Sequence, residues 1–315
     1  MKADPAARPR IRGFTLIESL VVASTVSIIL SIAMPALQQS RQDARNVDCR
    51  NKLKQIALAM HNYHDVFNTF PPGWISRDAT GQGHPSTGWQ VSILPFVEQA
   101  PLYNNLNLVD PVYETAPGDS GARQLKDVLL KKEISVFRCD AEPNSATNPL
   151  RGDWGLSNFS GNFGSQPIPR WPGLEGVAAV PTPAKPDGIF GVNSMIRLRD
   201  VIDGTSNTIL VGEKSVISKA GIWPGPRSNF HESDVVSDGS AASSFNSSET
   251  GFSSRHEGGI YFALCDGSVR FMRADLNPIP VTQQQQFIRP GQSSEPRGIF
   301  QNLCSRNDGN VVGEF

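Results

Sequence analysis

Chemistry in this chain would have to come from a few side chains. His61 and His64 stand at i, i+3 with Asp65 beside them, so a helix would put both imidazoles on one face. Two histidines so placed could begin a metal site. The sequence assigns them no third ligand, and packing or hydrogen bonding at a helix end is the simpler reading. The run Asp203-Gly204-Thr205-Ser206-Asn207 is rich in oxygen donors, which makes Asp203 and Asn207 calcium candidates. It lacks the D-x-[DN]-x-[DN]-G spacing of a calcium loop, and a Gly204 helix stop before a strand at 208–211 accounts for it more simply. Glu213 could pair or cap, with no catalytic partner identified. His256 precedes Asp266-Gly267, but extended chain would part His256 from Asp266 by roughly 30 Å, so the two are not a catalytic pair unless the chain folds back. No G-x-S-x-G nucleophile elbow occurs, and the chain reads as non-enzymatic with no cofactor. An exported enzyme would have to depend on His256 or Glu213.

Glu18 is a different case, because of what surrounds it. From 19 to 40 the chain carries no charge for 22 residues. As a helix that run spans about 33 Å, close to the hydrocarbon core of a bilayer. Lys2, Arg8, Arg10 and Arg12 outweigh Asp4 ahead of it, which keeps the N-terminus cytoplasmic and sends the rest outward. A secretory signal peptide is the alternative, but Ala33-Met34-Pro35-Ala36 makes a poor cleavage site. A carboxylate at the head of such a span costs a few kcal/mol and calls for a partner. Pro35 should kink the helix.

Beyond the span the pattern turns amphipathic to about Asp65. Val47, Leu53, Ile56, Ala57 and Met60 form an apolar stripe, and Arg41, Asp43, Arg45, Asp48, Arg50 and Lys52 a wet face. Asn68-Thr69-Phe70-Pro71-Pro72-Gly73 ends the helix. The remainder is a head of ordinary globular composition, 38% hydrophobic and 19% charged over the 315 residues. Its 28 glycines and 24 prolines predict loops and turns rather than a mostly helical body. A formal net charge of −1 gives no electrostatic case for nucleic acid. Gly259–Cys265 and Ser268–Arg273 flank Asp266-Gly267, which reads as a two-residue hairpin turn, with Leu264 opposite Val269 and Phe262 opposite Phe271 on one apolar face. The proline-rich 166–185 and serine-rich 237–254 read as surface loops. Trp171 and Trp223 are candidate contact residues or loop packing. Four cysteines, none in a C-x-x-C pair, allow three disulfide connectivities.

Two resemblances join these readings. Arg12-Gly13-Phe14-Thr15-Leu16-Ile17-Glu18 resembles the processing site of type IV prepilins and of type II secretion pseudopilins. That resemblance implies cleavage after Gly13 by a prepilin peptidase and N-methylation of Phe14. It also implies a pairing of Glu18 with the N-terminal amine of a neighbouring subunit during assembly. The blocks Cys49–Ile56, His61–Asp65, Phe70–Gly73, Gly88-Trp89, Leu94–Gln99 and Arg199–Glu213, with His256-Glu257-Gly258-Gly259 and Asp266-Gly267, are similar to the pilin-like proteins of domain-of-unknown-function family 1559. His256, Asp266 and Gly267 fit that family's C-terminal His-x9-Asp-Gly signature. Arg138-Cys139-Asp140-Ala141 departs from the Cys-Pro-Ser-Asp often found there. Cys49 and Cys139 match family cysteines, so the resemblance implies that they pair, leaving Cys265 and Cys304 as a second pair on the oxidising outer side of the membrane.

The expected protein is therefore of α+β class. A leader (1–13) precedes a transmembrane helix (14–36), its amphipathic continuation (37–66) and a globular head (67–315). The resemblances imply a processed single-pass subunit of a pseudopilus, type II secretion-like or pilus-like assembly in a bacterial inner membrane, with the head exported. Its partners would be prepilin peptidase, other pilin-like subunits, the lipid bilayer and an unknown head ligand. The alternative is a tethered binding module that never polymerises and recognises a glycan, an exported protein or an ion.

Overall fold

A computed structural model describes residues 15–76, 85–106, 127–142, 146–168, 186–216, 221–226, 234–240, 245–246, 248–274, 298–310 and 312. Gly13, Phe14, Trp171 and most of the proline-rich stretch lie outside them. The chain divides into two compact units, Met1–Arg45 and Asn46–Phe315. Helix α1 (Leu16–Phe67) begins in the first and ends in the second.

In the first unit α1 opens on a capping box. The Thr15 amide donates to Glu18 Oε2 at 2.9 Å, and the Glu18 amide donates to Thr15 Oγ1 at 3.3 Å. The large apolar side chains from Leu16 to Leu37 are exposed. Among the described residues α1 is the one helix long and apolar enough to cross a membrane. Ser24, Thr25, Ser27 and Ser31 donate to the carbonyls of Val21, Val22, Ala23 and Ile28 at 2.7–2.9 Å. Each hydroxyl is thus satisfied within its own helix, which an apolar medium demands. The helix continues past Pro35.

In the second unit α1 buries Cys49, Leu53, Ile56, Ala57, Ala59 and Met60. This stripe repeats at threes and fours. Val47, an expected member, is 46% exposed, and Cys49 takes its place. Lys52, expected on the wet face, is ion-paired to Asp48 at 2.6 Å and to Asp140 at 2.8 Å. Asn68, in the left-handed conformation (φ 58°), caps the helix by donating its N–H to the His64 carbonyl at 2.7 Å.

Among the described residues the head holds three sheets. In the largest the order is β10 (Val269–Arg273), β9 (Gly259–Leu264), β6 (Ile209–Glu213), β5 (Phe159–Gly164), β8 (Val236–Asp238), with only β5 and β8 parallel. Strands β3 (Thr147–Asn148), β4 (Trp154–Ser157) and β7 (Gly221–Ile222) form a second, and β1 (Trp74–Ser76) with β2 (Pro85–Gly88) a third. Short helices α2 (Trp89–Ser92) and α3 (Ala100–Asn105) follow β2. Along β9 the side chains alternate between two cores. Ala263, with Cys265 just beyond the strand, joins the cluster that holds the buried face of α1. Ile260, Phe262 and Leu264 join a second cluster with Phe300, Leu303 and Cys304 of α4 (Ile299–Cys304).

That alternation corrects two expectations. Cys265 and Cys304 are buried free thiols, not a second disulfide. They belong to different cores. The β9–β10 hairpin is also one residue out of the expected register, because its loop has three residues rather than two. Phe262 faces Arg270, and Ala263 faces Val269. The Gly267 amide donates to the Leu264 carbonyl at 2.9 Å, and of the loop residues only Gly267 has positive φ (82°). A two-residue Asp-Gly turn of type I′ would need positive φ at Asp266 as well. The observed turn puts Met272 in the second core with Phe262 and leaves Phe271 40% exposed.

Two surface assignments also change. Ser237, Ser240, Ser253 and Ser254 of the serine-rich stretch are buried. The Ser237 hydroxyl bonds Ser160 Oγ of β5 at 2.9 Å, so a run of small polar residues here builds an edge strand. Trp223 is fully buried, and its indole N–H donates to the Lys132 carbonyl at 2.9 Å. Its ring lies over Gly155, where a Cβ would come within 2.0 Å of the indole nitrogen.

Candidate functional site

Four side chains that the sequence scatters over more than 200 positions meet at one place in the head. Cys49 comes from the buried face of α1, and Cys139 from the turn after a short 3-10 segment, Ser135–Phe137. Glu213 is the last residue of β6, and His256 lies in the loop before β9. All four are buried, and one ligand atom from each lies within 4.8 Å of the other three.

Cys49 and Cys139 form a disulfide with Cα atoms 5.1 Å apart. It ties the head half of α1 to the body of the head. His256 Nε2 lies 3.0 Å from Glu213 Oε1, with both side chains 3% exposed. That nitrogen therefore carries a proton and donates it to the carboxylate. Cys139 Sγ is 3.6 Å from His256 Nε2 and 3.8 Å from Glu213 Oε1. A disulfide sulfur has no proton to give, so it only touches the Glu213 carboxylate and is at most a weak acceptor for the His256 N–H.

Backbone bonds hold each member. Glu213 Oε2 accepts the Tyr261 amide at 2.9 Å, and the Glu213 carbonyl accepts the Ser253 amide at 3.0 Å. The His256 amide donates to Ser254 Oγ at 3.1 Å, and its ring meets Tyr261 edge-on with centroids 5.2 Å apart. The Cys139 amide donates to Asn158 Oδ1 at 3.1 Å. Glu142, at the end of the same turn, closes the rim. It accepts Ser215 Oγ at 2.7 Å, the Val216 amide at 3.0 Å and Arg255 Nε at 2.7 Å. Beside the cluster, Cys139, Glu142, Asn158, Glu213, Lys214 and Arg255 help to line a cavity of about 10 Å³. That is room for about one water or one ion, not for an organic substrate.

The sequence candidates sort as follows. His256 meets Glu213, not Asp266. Asp266 instead caps its own turn, accepting the Ser268 amide at 2.8 Å. The Asp203 carboxylate accepts the amides of Asp308 and Gly309, each at 2.8 Å, and Asn207 Nδ2 donates to the Asp203 carbonyl at 3.4 Å. The Asp203 carboxylate thus clamps the C-terminal segment, while Asn207 closes the turn that follows Asp203. His64 Nε2 accepts the Leu198 amide at 3.2 Å, and the rings of His61 and His64 lie 6.0 and 5.3 Å from Phe70. Both pack the end of α1. The His256–Glu213 pair was missed because nothing local signals it. The available hint was an acidic residue closing the apolar strand Ile209–Val211.

The family model described as Protein of unknown function (DUF1559) matches residues 38–278, which include all four members of the cluster. No curated protein and no solved structure matches the chain.

Proposed function

The chain belongs to the family described as Protein of unknown function (DUF1559), and on that premise we propose that it is a processed, pilin-like, membrane-anchored subunit of a pseudopilus or pilus-like secretion assembly, with a non-enzymatic, structural role. The observation that carries this reading is the start of α1. The helix begins two residues beyond the expected Phe14 terminus and holds Glu18 in its first turn, bonded to Thr15. An apolar run long enough for a bilayer follows. Among the described residues, Thr15 supplies the hydrogen bonds to this carboxylate. A free amine presented by a neighbouring subunit in the membrane would be a stronger, charged partner. In this reading the leader stays cytoplasmic, prepilin peptidase cuts after Gly13, and the head is exported. The Cys49–Cys139 disulfide then locks the head onto the helix that links it to the assembly.

Mass spectrometry of the mature N-terminus, from cells with and without prepilin peptidase, tests the pathway. A chain that starts at methylated Phe14 only when the peptidase is present is the expected result. An intact Met1, or cleavage near Ala36, overturns it. Membrane crosslinking then tests assembly: Glu18→Ala should abolish the crosslinked ladder of the processed chain. A ladder unchanged by Glu18→Ala, or absent from the processed native chain, points to a tethered binding module instead.

A further inference from the structure

We propose that Cys49, Cys139, Glu213 and His256 form a redox-gated metal centre: a disulfide when oxidised, and a site for a thiophilic divalent cation of the Zn²⁺ class when reduced. The inference does not depend on the chain being a pilin-like subunit. It starts from donor type, since two thiolates, an imidazole and a carboxylate are ligands that tetrahedral zinc accepts. Spacing comes next. Zinc–ligand bonds of about 2.0–2.3 Å set tetrahedral ligand-to-ligand distances of about 3.3–3.8 Å. Cys139 Sγ lies 3.6 Å from His256 Nε2 and 3.8 Å from Glu213 Oε1, and those two atoms are 3.0 Å apart. Both sulfur distances fall in that range, and the His256–Glu213 separation has to widen by about 0.3 Å to seat one ion. The sulfur–sulfur bond also has to open.

The surroundings agree with an ion rather than a larger ligand. The four donors are buried, and the adjoining cavity of about 10 Å³ admits nothing bigger than a water or an ion. The Tyr261 amide on Glu213 Oε2 fixes the carboxylate and leaves Oε1 facing the sulfurs. That is the outer-shell support a metal-binding carboxylate requires.

The chemistry balances with a dithiol reductant. One of its thiolates attacks a sulfur of the disulfide and forms a mixed disulfide, releasing the other cysteine as a thiolate. Its second thiolate then closes the reductant's own disulfide and releases the remaining cysteine. Two electrons and two protons pass from the dithiol to the protein. A divalent cation next displaces both thiol protons into solvent; the His256 proton moves from Nε2 to Nδ1 by tautomerisation, which frees Nε2, and Nε2 and Glu213 Oε1 complete the four ligands. A disulfide oxidant reverses the exchange: it takes up the two electrons and leaves as a dithiol, the Cys49–Cys139 bond re-forms, and the ion loses both thiolate ligands and departs.

The test is a Co²⁺ titration of the full chain in detergent, oxidised or reduced by a phosphine without oxygen. The reduced chain should bind one equivalent, giving the visible d–d bands of tetrahedral cobalt and a thiolate charge-transfer band. Zn²⁺ should bleach both, and the oxidised chain should show neither. His256→Ala and Glu213→Gln should each weaken binding by about 100-fold or more, since losing a ligand costs more than the roughly 10–100-fold loss of an outer-shell partner. Cys265→Ala with Cys304→Ala should leave the bands intact. Near-ultraviolet circular dichroism follows folding throughout. The idea fails if a reduced, folded chain gives no tetrahedral bands, or if the bands survive in His256→Ala and Glu213→Gln. It fails equally if reduction unfolds the head and Co²⁺ does not restore it.

Discussion

His256 and Glu213 face each other at 3.0 Å in a part of the head where each side chain is only 3% exposed. The pair is inside the protein, held by the Tyr261 amide on one side and the Cys49–Cys139 disulfide on the other. Removing one partner of this buried hydrogen-bonded pair leaves the other unsatisfied, a loss of about 1–3 kcal/mol. Glu213→Ala also strands the Tyr261 amide. Glu213→Gln keeps an acceptor in place and should cost distinctly less. Denaturant unfolding of the two variants should separate them in that order. Equal midpoints would mean that the carboxylate is not a structural partner of His256.

The disulfide joins positions 90 residues apart. A cross-link closing a loop of that length stabilises by about 4–5 kcal/mol if chain entropy dominates. Cys49→Ser with Cys139→Ser should lower stability by an amount of that order. Alkylation offers a check on the connectivity. Cys265 and Cys304 are buried, and burial pushes both thiols up. An alkylating reagent should therefore label neither in the folded oxidised chain, two cysteines after unfolding, and four after unfolding and reduction. A fully labelled unfolded chain without reduction would contradict the Cys49–Cys139 bond.

Arg151 is 2% exposed and pairs with Asp234, 0% exposed, at 3.0 Å, and with Glu249, 26% exposed, at 3.1 Å. Both acids meet one guanidinium, but only Asp234 is fully out of water. Desolvation makes an interior pair costly to break, while solvent screens a rim pair. Asp234→Asn should therefore destabilise by about 3–5 kcal/mol and Glu249→Gln by under about 1 kcal/mol. Thermal unfolding of both variants tests the ordering, and a larger loss for Glu249→Gln would reverse the assignment.

How much of this was legible depended on range. The span and end of α1 follow from runs and breakers within a few residues of one another. The absence of charge from 19 to 40 and the stop at Asn68 needed no tertiary knowledge. Strand β6 was legible for the same reason. The hairpin was visible as a hairpin, but its register depended on whether Asp266 would take positive φ, which Asp-Gly alone does not decide. The surface assignment of the serine-rich stretch failed because polarity was taken for exposure. Ser237 is buried on a parallel edge strand, with its hydroxyl bonded to Ser160. The cluster at the disulfide was the least legible. Its residues lie on a helix, a turn, a strand end and a loop, and only the folded topology brings them together.

Lys214 follows Glu213 directly and is fully buried, with Asp234 among the acids that act on it. Burial dominates its titration and lowers its pKa from 10.5 to about 7, against the pull of Asp234 and with a further push from Arg151. The unfolded chain keeps the ordinary lysine value, so between pH about 7 and 10.5 it binds more protons than the folded chain. Stability must therefore rise with pH across that window. The stabilisation is fully present above the unfolded value and is lost as pH falls through the folded one. Lys214→Met removes the titration, so its advantage over the native chain should be largest below pH about 7 and should vanish toward pH 10.5. Paired denaturation curves at several pH values measure this directly. A native slope that Lys214→Met leaves unchanged would assign the pH dependence to some other group.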